Sequence, residues 1–314
     1  MKFVASIPAT SANLGPGFDS VGLALNLWNH FEFHLQPDHL PISVETNGEG
    51  NKTLPTDQSH LSVQVLLNEI ERLALIHQLD LDLPSFHLVC RNNVPAGSGL
   101  GSSSTAVLGG LMLAHAYVQL ATHHPFAFER DQILSEAAAE EGHGDNVAPA
   151  MLGGLVIVAT DETGLIAQKV TLPPLRVVVC VPEFHFLTSQ ARAVLPEQLR
   201  RADAIANIGR TALVVEALRN QDYNLLARAM ADRIHEPYRL PIIPGALAAR
   251  QAALCAGAAA VSLSGAGPGM IAFSANHHEQ IGQAMVNAFA VAGLASRFWT
   301  LDTLDDGATL TSLA

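Results

Sequence analysis

Apolar positions along the chain fall into two spacings. Short runs rich in apolar and β-branched residues at Phe3–Ile7, Phe31–Leu35 and Ile42–Glu45 predict strands. Between Ser59 and Leu79 the apolar residues recur instead at Leu61, Val65, Leu66, Ile70, Leu73, Ala74 and Ile76, one stripe of a helix that Ser59 is placed to cap. A strand at Phe86–Arg91 runs into a glycine-rich loop, Asn92–Gly101, which opens a helix from Ser102 to about Leu120. A helix over Phe128–Glu141 stops at Gly142, and Gly153–Thr160 is a further strand. The mixture resumes with strand Leu175–Val181, helices Ala202–Arg219 and Asn224–Met230, and helix Ala246–Ala256 behind Pro244 and Gly245. Strands Ala259–Leu263 and Met270–Ser274 flank a tight Gly-rich turn, and helix His278–Ala292 and strand Arg297–Leu301 follow. Strands and helices interspersed, with hairpin-like strand pairs among them, predict an α+β fold. The pattern restarts over Asp161–Pro174, which divides the chain into residues 1–165 and 166–314.

Composition narrows the function classes. With 314 residues, 49% apolar and 15% charged, the chain can bury a large core, and its length suits about two domains. The formal charge is 17 minus 29, or −12, and the lysines are Lys2, Lys52 and Lys169 alone. Phosphate-backbone binding needs clustered basic residues, so nucleic acid is not an expected partner. No run of 18 apolar residues occurs, and Met1–Pro8 leads into a strand-like run rather than an apolar signal core. No membrane partner and a cytoplasmic location are therefore expected. Cys90, Cys180 and Cys255 sit far apart in apolar contexts and read as buried free thiols. The 14 histidines lack metal-ligand spacing; His143 and His235 read as pocket-wall or hydrogen-bonding groups.

The most informative segment is Val94 to Ala106. Three alternate glycines, Gly97, Gly99 and Gly101, let the backbone curl until successive N–H groups converge, and Ser102, Ser103, Ser104 and Thr105 open a helix behind them. Unpaired donors at a helix N-terminus and its partial positive charge make such a turn an anion cradle. A Walker loop is excluded, because no lysine follows the glycines. The G-x-G-x-G spacing also differs from the dinucleotide fingerprint.

Pro95, Gly99, Leu100, Gly101, Ser102, Ser103 and Ala106 resemble the nucleotide loop of the GHMP small-molecule kinases. Two further segments in family order support the resemblance: Pro8–Asp19 (PATSANLGPGFD) and Leu263–Gly269 (LSGAGPG). The first lacks the lysine or Gly-Glu-His of the sugar and mevalonate members, and its wording is similar to the branch that phosphorylates homoserine. Glu141–Ala150, Thr188–Pro196 and His235–Arg239 resemble the substrate-pocket segments of that branch, with Gly144 as a departure, and Gly269 departs from the family wording in the Leu263–Gly269 segment.

The resemblance implies the two-domain GHMP architecture, a ribosomal protein S5 domain 2-like N-terminal domain and a ferredoxin-like C-terminal domain, with nucleotide between them. It implies transfer of phosphate from ATP to the hydroxyl of L-homoserine, giving O-phospho-L-homoserine for threonine synthesis, and a possible homodimer. Nucleotide would lie on Pro95, Ala96, Gly97, Ser98, Gly99, Leu100, Gly101, Ser102, Ser103, Ser104 and Thr105. The amino acid's carboxylate suits the guanidiniums of Arg192 and Arg239, its ammonium suits Asp19 and Asn13, and Thr188 completes the pocket. Mg2+ would be held by Ser102 or Ser103 with a carboxylate of the helix over Phe128–Glu141, Glu136, with Glu140 as its alternative one turn on. Asp145, Asn146 and Arg192 are the expected catalytic groups. Asn146 cannot be a base, so either Asp145 takes the hydroxyl proton or it passes directly to phosphate or solvent. The rival readings are a mevalonate or sugar kinase of the same family and a non-catalytic binder that kept the fold.

Overall fold

The computed structural model describes residues 2–37, 39–122 and 130–313; Phe128 and Glu129 of the expected helix, and the pair His123-His124, lie outside them. In the first part of the chain, β1 (Lys2–Ala12), β2 (Val21–Leu35), β3 (Ser43–Gly48), α1 (Leu61–His77), β4 (Phe86–Asn92), α2 (Ser102–Thr122), α3 (Arg130–Glu141), α4 (Val147–Leu152), β5 (Leu155–Asp161) and β6 (Gly164–Val170) follow in order. The second part runs through β7 (Arg176–Pro182), α5 (Thr188–Ala193), α6 (Arg201–Arg219), α7 (Tyr223–Ala229), α8 (Glu236–Arg239), α9 (Ala246–Cys255), β8 (Ala260–Leu263), β9 (Met270–Phe273), α10 (His278–Val291), β10 (Ser296–Asp302) and β11 (Thr309–Leu313).

The long hairpin of β1 and β2 organises the first sheet. Its register shifts between Pro8 and Ala9, where proline has no N–H to give to the ladder. Strands run in the order β11-β1-β2-β4-β3, with β5 also on β2 and β6 on β5. Only the β3–β4 pair is parallel within this sheet. The inward residues Phe31, Phe33, Phe86 and Leu88 pack under α1 and α2. By length and composition α2 could cross a membrane, but 67% of that stretch is buried inside the protein. The second sheet, β10-β7-β9-β8, is antiparallel and has α9 and α10 over one face. Its other face joins Leu14, Val21 and Leu100 of the first part in one apolar core with α6 and α7, so the two sheets do not float free of each other.

Several boundaries differ from the apolar pattern. β1 and β2 extend well beyond their apolar runs because ladder pairing carries them through Thr10, Ser11 and Asn29. The division at 165/166 falls inside β6, and β11 returns to pair with β1, so the first sheet takes residues from both ends of the chain. α1 is capped by His60, whose Nδ1 accepts from the Ser62 N–H at 3.2 Å, while Ser59 bonds Asp57 instead. Cys90 and Cys180 are buried, whereas Cys255 is exposed at the end of α9, on the helix face turned from the core.

A charge cluster binds α1, α2 and α3. Glu69 accepts two hydrogen bonds from Arg72 (2.7 and 2.8 Å) and lies 2.9 Å from His115 Nε2; Arg72 also binds Glu136. Burial alone would raise the Glu69 pKa, but Arg72 and His115 hold it at about 2. Burial likewise works against the His115 charge, and Glu136 and Glu69 override it, raising that pKa above 6.5. The Glu69 contribution is full above about pH 4.5 and is lost as pH falls toward 2; that of His115 is full below 6.5 and fades above it. Glu69→Ala is expected to cost about 3–5 kcal/mol of unfolding free energy near neutral pH. Urea denaturation checks this, and the penalty should shrink between pH 4.5 and 2.

Candidate active site

Three segments far apart in sequence meet where the two sheets adjoin. The loop after β4 passes between the end of β1 and the turn joining β8 to β9. Thr10 N–H donates to the Leu100 carbonyl (3.1 Å), Gly269 N–H to Ser98 (3.0 Å), and Gly265 N–H to Ala12 (3.1 Å). The Ser264 hydroxyl donates to the Gly99 carbonyl (2.7 Å) and lies 2.9 Å from the Ser11 hydroxyl. Glycine is required at two of these positions. A Cβ on Gly99 would lie 2.1 Å from the Ser264 carbonyl oxygen and one on Gly101 would lie 2.2 Å from Thr10 Oγ1, and both residues have positive φ (79° and 70°).

The crossing leaves a cavity of about 250 Å3 in front of the α2 N-terminus, lined by Gly97 to Gly99 and Gly101 to Ser104. Leu100 and Thr105 are buried behind the loop, and Thr105 Oγ1 accepts from Asn29 while donating to the Ser102 carbonyl. Pro95 and Ala96 line an adjoining cavity of about 590 Å3 with Glu49, Phe184, His185 and Arg297. Glu141, the last residue of α3, accepts from Ser103 (2.5 Å) and Ser104 (3.0 Å) at the mouth of the cradle. These oxygens are hard donors of the kind Mg2+ takes. Glu136 does not line this cavity: Arg72 and His115 draw it to the opposite side of α3, and Glu140 is exposed. The carboxylate that the helix offers the loop is therefore Glu141, in the last turn before Gly142, not the expected residue one or two turns earlier.

The far wall carries the amino-acid-like chemistry. Asn13 Nδ2 donates to the Gly265 carbonyl (2.8 Å) and its Oδ1 accepts the Asp19 N–H (2.9 Å). Asn13, Leu14 and Asp19 all have left-handed φ (70°, 43° and 52°), the cost of folding this turn over the cavity. Asp19 holds Arg192 of α5 through two parallel bonds, 2.8 and 2.9 Å, which raise the pKa of that guanidinium. Arg239 of α8 is 2% exposed; burial, then the charge of Arg192, lowers its pKa to about 10, still charged at neutral pH.

Beneath them Asp232 accepts the N–H groups of Ile234 (2.9 Å), His235 (2.8 Å) and Glu236 (2.6 Å) and so sets the start of α8. Thr188 begins α5 at the cavity edge. Asn146 Oδ1 accepts from Thr10 Oγ1 (2.9 Å). Asp145 Oδ1 lies 2.9 Å from His143 Nδ1, off the line of a good hydrogen bond, and that contact raises the His143 pKa although burial opposes it.

The structure thus gathers Asn13, Asp19, Gly97, Ser98, Gly99, Gly101, Ser102, Ser103, Ser104, Asp145, Asn146, Thr188, Arg192 and Arg239 around one cavity. Of the expected residues, Glu136, Leu100 and Thr105 stay outside it, and Pro95 and Ala96 border its neighbour. Glu141, Gly265, Ala266, Gly267, Phe186 and Leu187 also line it and were not among the expected site residues. For Glu141 the sequence does carry a signal, since it opens the Glu141–Ala150 segment next to Gly142.

A phosphate-sized cradle facing two arginines and a carboxylate, on this pair of sheets, defines a GHMP-type kinase. Residues 64–154 match the GHMP kinases N terminal domain and residues 214–291 match GHMP kinases C terminal. The chain is 40% identical to homoserine kinase of Desulfitobacterium hafniense over 304 residues, 96% of this chain and 97% of that one. It is 38% identical to that of Moorella thermoacetica over 303 residues, again 96% and 97%. The crystal structure of homoserine kinase from Cytophaga hutchinsonii superposes with a TM-score of 0.82 at 29% identity, covering 99% of this chain and 97% of that chain. The chain belongs to the homoserine kinase family. Gly101→Ala is expected to lower kcat/KM for ATP by about 100-fold or more while leaving the circular dichroism spectrum unchanged, because the added methyl displaces the loop from Thr10.

Proposed function

We propose that this chain carries out the reaction of its family with the residues assembled above: it transfers the γ-phosphoryl group of ATP to the hydroxyl of L-homoserine, a step toward threonine. The observation that carries the assignment is the pairing of an anion cradle with Arg192, Arg239 and Asp19 across one cavity. The nucleotide phosphates lie over Gly97–Ser104 against the α2 N-terminus, and the base extends into the adjoining cavity beside Pro95 and Ala96. The substrate carboxylate meets Arg192 and Arg239. Its ammonium meets Asp19 and the second lone pair of Asn13 Oδ1. Thr188, at the start of α5, borders the same end of the cavity.

Mg2+ would be held by Glu141 with Ser102 or Ser103, and when bound it neutralises charge on the phosphates. The protein's own work is to orient: Thr10 fixes the Asn146 amide, and Asp145 lies 2.9 Å from His143 Nδ1 on the same cavity wall, which raises the His143 pKa although burial opposes it. Asn146 has no basic atom, and the hydroxyl proton passes directly to a phosphoryl oxygen or to solvent. The enzyme works in the cytoplasm, where its ATP is supplied.

Magnesium-dependent ADP production, compared for L-homoserine, L-serine, L-threonine, mevalonate and galactose, tests the substrate. Strong turnover is expected with homoserine only, and Glu141→Gln should lower kcat by about 100-fold or more and raise the magnesium needed for half activity. Turnover only with mevalonate or galactose would overturn the roles of Arg192, Arg239 and Asp19. Asp145→Asn should stay within about tenfold of wild-type kcat; a loss of 10²–10⁴ would make Asp145 the base.

A further inference from the structure

Phe18 stands in the turn between β1 and β2, and two cations share its ring. The Arg239 Cζ lies 5.1 Å from the ring centroid and the Arg192 Cζ lies 5.7 Å from it. The His235 ring stacks on the same side chain, 5.2 Å between centroids at 28°. All three residues lie within reach of the electron-rich face of an aromatic ring.

Arg239 has particular need of such a neighbour. It is among the largest fully buried side chains and has no carboxylate in ion-pair contact among the described residues. Its hydrogen bonds go to the Ala191 carbonyl (3.0 Å) and to His235 Nδ1 (3.3 Å). The histidine is fixed to receive it: Nε2 faces the Gly15 carbonyl at 2.8 Å, an acceptor only, so Nε2 carries the proton and Nδ1 presents its lone pair to Arg239. Arg192, by contrast, is held by Asp19. Two guanidiniums on one wall repel each other, and the Phe18 ring, within about 6 Å of both, is the shared group that attracts them.

The turn that carries the ring is itself held firmly. Asn207 and Thr211 of α6 donate to the Pro16 carbonyl (3.2 and 2.9 Å), Ser20 and Val21 N–H groups donate to Gly17 (3.0 and 3.1 Å), and Asn13 takes the N–H of Asp19. The backbone of Phe18 therefore cannot shift without unmaking the turn.

We infer that Phe18 is a positioning residue for carboxylate recognition: its ring face holds the Arg192 and Arg239 guanidiniums together, so that one substrate carboxylate can meet both. The inference rests on the reading above that these arginines take the carboxylate. It does not follow from packing alone, because leucine fills similar space with no π face.

The test replaces Phe18 in the full-length enzyme by mono-, di- and trifluorophenylalanine, which keep the ring's shape and progressively weaken its negative face. Phe18→Leu and Phe18→Tyr are measured alongside. KM for homoserine is expected to climb step by step with fluorine number, to about tenfold for the trifluoro ring, since each contact is worth roughly two- to thirty-fold. KM for ATP and kcat should stay within about threefold. Phe18→Leu should raise KM for homoserine at least as far as the trifluoro ring, and Phe18→Tyr should stay near wild type. A flat fluorine series overturns the proposal, whatever Phe18→Leu does, and leaves the ring a packing role. Arg192→Lys and Arg239→Lys separate the two readings. If they raise KM for homoserine while the series is flat, only the role of Phe18 falls. If they leave it unchanged, the carboxylate assignment falls and takes this inference with it.

Discussion

The site depends on one close approach: the carbonyl oxygen of Ser264 sits where a side chain on Gly99 would begin. At that point the glycine loop is pressed against the turn between β8 and β9, and the Ser264 hydroxyl binds the Gly99 carbonyl while touching Ser11 at the end of β1. Each of the three segments would be an irregular turn by itself, with backbone groups unpaired. Interlocked, they satisfy one another and place the open N–H groups of the loop and of α2 toward a single cavity. The core beneath the crossing, where Leu14, Val21 and Leu100 meet Val177, Val179 and Ile271, supplies the apolar burial that holds it closed.

The strained turn at Asn13, Leu14 and Asp19 belongs to the same arrangement. Left-handed conformations at non-glycine residues cost energy, on the order of 1–3 kcal/mol each. Here that cost is offset by the burial of Leu14, by the bond from Asn13 to Gly265, and by the grip of α6 on Pro16. What the strain achieves is a carboxylate, Asp19, and a ring, Phe18, both turned toward arginines that come from more than 170 residues further along the chain. The charged groups of this wall are thereby paired before any ligand arrives.

Much of this was legible in the letters, and the rest was not for identifiable reasons. The long element α1 showed itself by its apolar stripe, and β4 and β7 by their short apolar runs. The glycine loop was readable because an anion cradle requires a backbone that few sequences allow. The short elements α4, α5 and α8, and the strands β6 and β11, carry weak patterns because neighbours and edge pairing, rather than their own spacing, hold them. The mistaken choice of Glu136 has the same origin. Helical spacing says that Glu136 and Glu140 lie on one side of α3, but not which side meets α2, and Arg72 and His115 decide that from other helices. The pairing of Asp19 with Arg192 is equally silent in sequence, being a property of two turns brought together only by the finished fold.

The return of β11 to the edge of β1 gives the molecule a particular history and a particular mechanics. Lys2 pairs with Leu313 and Ser6 with Thr309, so β1 waits for β11 before its outer edge is covered. During synthesis that edge stays open while some three hundred residues are added, an interval in which a bare strand is exposed to other chains. In the finished protein the second sheet is tethered to the first at both ends, through the segment after β6 and the segment before β11. Two tethers resist twisting of one sheet against the other more than a single linker would.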